Sequence, residues 1–278
     1  MSLRVHPAVQ KILLLLVAGA ATAAKPTQID TTHYQLWTTA PPLRARQALA
    51  AAERLHRSWS EWTGVAHKGK RHKMRLFSSR EEMRRALPGL GWAEAIYHDS
   101  ICDQYDDPDA ESPWHWLVHE ATHQLAWEDA NLELPRWASE GLACLFSTSR
   151  TRGGRIVLGS VDPETYPVWW LKRKPVAGAL EKDVALGNLV APSRILSERD
   201  DVDIGRSVNA HYLAWWSMAH FFHATDSVAW RDWVLHDPTR EGLLRRFGPL
   251  STLDARWYAH MKVLADSVVK RDPKPAGK

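Results

Sequence analysis

Within Trp116-Leu117-Val118-His119-Glu120-Ala121-Thr122-His123-Gln124-Leu125, two histidines stand four residues apart, with a glutamate directly after the first. On an α-helix that spacing puts both imidazoles on one face, and Ser112 and Pro113 mark where such a helix begins. Neutral imidazole suits Zn2+, and Glu120 projects close enough to the same face to act on a zinc-activated water. Two nitrogens alone do not complete a site. The segment Leu134-Pro135-Arg136-Trp137-Ala138-Ser139-Glu140-Gly141-Leu142-Ala143 brings a carboxylate, Glu140. Pro135 opens a second helix, and the connection Glu128–Leu134 is short enough to fold it back on the first. His119, His123 and Glu140 then leave a tetrahedral zinc with one open position, which catalytic sites need and structural sites avoid. Gly141 costs a helix about 1 kcal/mol, which marks a place where another element packs closely.

These two segments, His-Glu-x-x-His and Pro-x-Trp-x-x-Glu-Gly-x-Ala, resemble the gluzincin metallopeptidases of the thermolysin-like clan, especially its small exported peptidase-MA-like members. The specific likeness spans Leu117–Phe146, and a looser one continues through Tyr212–His220. The resemblance implies that His119, His123 and Glu140 bind zinc, that Glu120 is the general base and that Tyr212 faces the site. It also implies a zincin-like layout with an edge strand, here Ala93–Cys102, beside the zinc helix. Tyr212 can donate a hydrogen bond to a tetrahedral oxyanion, as can the neighbouring His211 when protonated; the alternative for Tyr212 is a buried helix tyrosine with a satisfied hydroxyl. The chain departs from the family at Cys144, where many of these enzymes carry an aspartate that orients a histidine, so that acceptor must come from elsewhere. Cys102 and Cys144 are the two cysteines. A disulfide between them would tie the edge strand to the ligand helix; two free buried thiols are the alternative, and thiolate ligation would close the open zinc position.

The elements that must hold this constellation follow from periodicity. Thr32–Thr38 alternates like a half-buried strand, Pro41–Trp62 carries apolar residues at helical spacing, and Met74–Phe77 is another short strand. Ser79–Leu87 is a short helix with Ser79 capping and Glu82 three residues on, and Ala93–Cys102 is extended. Beyond Pro108 helices dominate, at Pro113–Trp127, Pro135–Phe146, Ala191–Ser197, Ala210–His223, Ser227–Leu235, Arg240–Phe247 and Leu253–Val268. The expected class is α+β: a small mixed α/β layer over residues 24–110, then a mainly helical zinc-ligand subdomain over 111–268 and a frayed tail over 269–278. Residues 1–23 read as an export signal, with basic Arg4 and Lys11, an uncharged run Ile12–Ala24 and a small-residue cleavage pattern ending at Ala23. That run is too short to span a bilayer, which predicts an exported, periplasmic or secreted chain with no stable membrane insertion after cleavage.

Charge argues against nucleic acid as a partner. The formal net charge is only +4, and the one dense basic run, His67–Lys73, reads as a solvated turn. Asp103, Asp106, Asp107, Asp109 and Glu111 read as a solvated acidic turn, with a Ca2+ loop as the alternative. His115, one turn before His119, reads as a rim residue or a helix N-terminal residue rather than a ligand. Of fifteen tryptophans many fall in pairs, and adjacent ones must point in different directions, so some are expected to line a cleft. The expected function is an exported zinc metallopeptidase that hydrolyses peptide bonds of a peptide or protein substrate. The alternative is a non-catalytic, zinc-stabilised peptide- or glycan-binding protein, disfavoured because a structural zinc needs neither Glu120 nor an open position.

Overall fold

The computed structural model describes residues 25–90, 93–173 and 176–270; the export signal and residues 271–278 of the expected tail lie outside them. Strands β1 (Thr27–Asp30), β2 (Tyr34–Thr38), β3 (His72–Phe77), β4 (Ala95–His98) and β5 (Ile101–Tyr105) form one sheet in the order β1-β2-β3-β5-β4. The central pairs β2–β3 and β3–β5 are parallel, and both edge pairs are antiparallel. Two helices connect the parallel strands, α1 (Pro42–Thr63) and α2 (Arg80–Ala86). In β2 the residues Tyr34, Leu36 and Thr38 are buried while Gln35 and Trp37 are half-buried, the alternation of a strand with one face in the core. α1 buries a small-residue stripe (Ala45, Ala48, Ala52) with Leu49, Leu55 and Trp59, and ends where Gly64 takes φ +74°. Ser79 accepts a hydrogen bond from the Glu82 backbone at 3.2 Å, the expected cap of α2.

The extended segment expected at Ala93–Cys102 is two strands. Asp99 and Ser100, both at positive φ, turn the chain so that β4 is the edge and β5 lies inside the sheet. Sequence reasoning also passed over β1, whose side chains are mostly exposed, and therefore carry little periodic signal. The acidic-turn reading fails at two residues. Asp103 is fully buried in β5, where Arg75 donates to it from Nε and Nη2 at 2.5 and 2.7 Å, and the nearly buried Asp106 takes Arg44 Nε at 2.6 Å.

The helical half begins with α3 (His115–Glu128) and α4 (Arg136–Ser147), followed by a small hairpin, β6 (Ser149–Arg152) and β7 (Arg155–Val161), turned by Gly153 and Gly154 at positive φ. Short helices α5 (Trp170–Arg173), α6 (Leu180–Ala185) and α7 (Pro192–Ile195) precede α8 (Val208–Thr225), α9 (Ser227–His236), α10 (Arg240–Phe247) and α11 (Leu250–Lys270). The α+β class is as expected; the hairpin, α5 and α6 are additions to it. No helix among the described residues is long and apolar enough to cross a membrane.

α3 packs on α1, β4 and β5 on one side and on α4 on the other. α4 in turn packs on α8, and one continuous core joins sheet and helices, with Trp59, Trp216, Trp230, Trp233 and Trp257 fully buried in it. Their ring nitrogens are not all idle: Trp216 donates to Thr148 at 2.9 Å and Trp257 to Ser217 at 3.0 Å. Gly141 is the contact point of α4 and α8. A Cβ there would lie 2.6 Å from the Trp215 carbonyl oxygen, closer than backbone can tolerate. Gly141→Ala is therefore expected to lose about 1–3 kcal/mol of stability to overpacking, despite alanine's better helix propensity. Chemical denaturation measures this, and an unchanged midpoint would show that the two helices can separate freely.

Candidate metal centre

α3 and α4 bring the three expected ligands together. His119 Nε2 lies 3.2 Å from Glu140 Oε2 and 3.3 Å from His123 Nε2, and His123 Nε2 is 3.8 Å from the same carboxylate oxygen. Donor atoms bonded to one tetrahedral ion at about 2.0–2.1 Å stand about 3.3 Å apart, so this spacing fits a metal ion between them. The described residues thus contain a histidine–glutamate group positioned to hold a metal.

The opposite ring nitrogens are engaged. Ser139 Oγ lies 3.1 Å from His123 Nδ1, and Cys144 Sγ lies 3.7 Å from His119 Nδ1. Where Nδ1 carries the proton in these contacts, each ring presents the lone pair of Nε2 to the site. The expectation that the orienting acceptor of a histidine comes from elsewhere than position 144 holds for His123, which meets Ser139, and is corrected for His119, where Cys144 itself takes that place through a soft sulfur contact. Burial and the charges of Glu140 and Glu120 push its thiol up, so it stays uncharged. The disulfide is corrected too. Cys102 and Cys144 are both free and buried, because α3 lies between the sheet that carries one and the helix that carries the other.

Burial works against the Glu140 carboxylate, but hydrogen bonding to His119 and His123 outweighs it and holds the group well below the usual carboxylate range. Glu120 shifts the other way. Burial pushes its carboxyl up, and the Glu140 charge adds to this against the two imidazoles. Its Oε2 accepts a hydrogen bond of 2.8 Å from the backbone N–H of Tyr97 on the edge strand β4. For His123, burial opposes the charge, yet the Glu140 and Glu120 carboxylates raise it overall.

All four groups line one cleft of about 700 Å³, together with β4 residues Ala95, Ile96 and Tyr97. Tyr212, from the first turns of α8, also lines it, and its ring stands 6.5 Å from that of His119. Burial, then the Glu140 charge, pushes its hydroxyl far up, which keeps it a neutral donor. His211 is not brought to the cleft: it is buried, with Nδ1 3.0 Å from the Ser207 carbonyl and Nε2 facing Glu198 at 3.4 Å. His115 is likewise buried, with Nδ1 3.1 Å from the Ser147 carbonyl, and burial lowers it to about 3. Sequence reasoning missed Tyr97, Ser139 and Tyr166 as residues at the site; Ser139, directly before Glu140, is the one whose spacing could have been read. Trp116 and the half-exposed Trp127 line the cleft; neither belongs to an adjacent pair, the feature from which cleft-lining tryptophans were expected.

Compared with known proteins, the chain matches no family model and no curated protein sequence.

The Glu140 and Glu120 carboxylates favour a proton on His123, and metal binding at that nitrogen must displace it. Affinity for Zn2+, measured by competition with a chromophoric chelator, should therefore weaken as pH is lowered from about 8 to about 6. A pH-independent affinity would show that His123 does not titrate against the metal.

Proposed function

We propose that the protein is an exported zinc-dependent metallopeptidase of gluzincin type, hydrolysing peptide bonds of a peptide or protein substrate. The observation that carries this reading is the convergence of His119, His123 and Glu140 in a cleft that also presents the metal-free carboxylate Glu120. Two nitrogens and one oxygen suit Zn2+, which when bound there supplies Lewis-acid polarisation of the scissile carbonyl and a lower pKa for water.

The chain's own residues account for the rest. Glu120, fixed through Oε2 by the Tyr97 N–H, accepts a proton from the attacking water and returns it to the leaving amine; its raised proton affinity suits both steps. Tyr212 offers a neutral hydroxyl to the oxygen that gains charge at the former carbonyl. The edge strand β4 offers backbone groups along one wall, the surface on which an extended peptide can pair. Trp116 and Trp127 give apolar area for side chains flanking the cleaved bond. Export rests on the sequence of residues 1–23.

Glu120→Gln tests the base. Digestion of a broad peptide library should fall by orders of magnitude while metal content stays at the parent level; an unchanged rate would remove Glu120 from the reaction. Tyr212→Phe should lower kcat about 10-fold or more with KM little changed, because the hydroxyl acts where charge develops. Parent protein that holds zinc and cleaves no library member would favour the binding-protein reading.

A further inference from the structure

The basic run His67–Lys73 reads in sequence as a solvated turn, yet its two histidines face inward. His67, in the turn after α1, and His72, the first residue of β3, meet His56 of α1 and Asp129, the residue that ends α3. One ligand atom from each of the four lies within 4.8 Å of the others. Asp129 Oδ2 is the common neighbour, 3.1 Å from His72 Nε2, 3.6 Å from His67 Nδ1 and 3.8 Å from His56 Nε2. His56, His72 and Asp129 are almost wholly buried, at 4%, 1% and 6% exposure.

The second observation is what these atoms lack. His56 Nε2 and His67 Nδ1 are buried without a hydrogen-bond partner, and both face the same carboxylate at distances too long for a hydrogen bond. His72 Nε2 meets Asp129 within hydrogen-bond distance, but the other two nitrogens are stranded, and each stranded polar atom is costly in a dry interior. Orphan ring nitrogens at His115, His211 and His223 do not converge on a shared group of ligand atoms in this way. A cation amid the four removes the deficit at once, since it takes the nitrogen lone pairs and the carboxylate oxygen together.

We infer that His56, His67, His72 and Asp129 form a second zinc site, structural in kind, which cross-links α1, the following turn, β3 and the end of α3. Three nitrogens and one oxygen suit Zn2+ and exclude the oxygen-seeking Ca2+ and Mg2+. Four protein ligands close the coordination shell, and none of the four lines the cleft that holds His119. The surroundings are those of a supported ligand set. His72 Nδ1 lies 2.9 Å from Glu128 Oε2, and the His56 ring is stacked 3.6 Å from that of His33, itself held by Glu53 at 2.7 Å. Glu128 also receives the Tyr97 hydroxyl at 3.1 Å, and the Tyr97 N–H holds Glu120, so the cluster braces the strand beside the cleft.

The test is zinc stoichiometry of the full chain after equilibrium dialysis against Zn2+, with circular dichroism confirming the fold. The parent should hold about two equivalents, and His67→Gln, altering a residue in a turn, should hold about one. His119→Ala/His123→Ala should also retain about one, and with Co2+ in its place that variant should show the strong visible absorption of a four-coordinate ion. Loss of one equivalent in His67→Gln, with none lost in His119→Ala/His123→Ala, would support this site and overturn the other. A parent holding about one equivalent that His67→Gln leaves in place would overturn this inference, as would a folded His119→Ala/His123→Ala variant that binds no Zn2+ or Co2+.

Discussion

Glu140 can reach the histidines of α3 only because the next residue has no side chain. α4 is squeezed between α3 and α8, and the backbone of α8 comes so near that the Trp215 carbonyl occupies the space of a Cβ at position 141. The same contact fixes two things. It sets how close α4 stands to α3, hence the 3.2 Å between Glu140 and His119, and it sets the height of α8, whose Tyr212 lies three residues before Trp215. Most of α4 is sealed in the core, including Trp137, Ala138, Leu142, Leu145 and Phe146; the partly exposed edge at Ser139 and Glu140 is what opens to the cleft. A helix buried on most sides has little freedom to tilt, so the carboxylate is held by packing rather than by its own hydrogen bonds.

That placement divides the two carboxylates of the site into different chemical states. Glu140 lies against two imidazoles and is held ionised; Glu120, one residue after His119, is pushed toward protonation by burial and by the Glu140 charge. Two like groups whose surroundings push them apart are the usual footing for giving one a fixed charge and the other a moving proton. The backbone N–H of Tyr97 tempers Glu120 without neutralising it, and that link makes the edge strand part of the site's electrostatics as well as its wall.

How much of this was legible in the sequence depends on which interactions are local. The histidine pair His119/His123, the cap at Ser79 and the long helices are written in spacing, because one turn of helix or one capping bond involves neighbours. Gly141 was legible as a close approach, though not what approaches. The Asp103 and Asp106 carboxylates were misread because their arginines, Arg75 and Arg44, come from strands and helices far back in the chain. In the hairpin, β6 is wholly polar (Ser149–Arg152), and β7 carries Ile156, Val157 and Leu158 as an unbroken run rather than in alternation, so the Gly153-Gly154 turn was its clearest signal. Cys144 was judged by what the resembling enzymes carry there; its thiol contact with His119 depends on α3 and α4 meeting, which no spacing within α4 reveals.

α3 joins these themes because its fit is polar along its whole length. Its apolar contribution is modest, with Leu117, Ala121, Leu125 and Ala126 buried, and it also buries His115, His119, Thr122 and Gln124. Each turn has its own anchor: His115 on the Ser147 carbonyl, His119 on Cys144 and Glu140, Gln124 on the Lys73 carbonyl at 3.3 Å, Glu128 on His72 and Tyr97. An apolar stripe tolerates a slip of one turn, since leucine meets leucine again. A ladder of hydrogen-bonding groups does not, because a slip strands several buried donors and acceptors at once. The register of α3 against sheet and α4 is therefore fixed by the polar set, and with it the height at which His119, Glu120 and His123 meet Glu140.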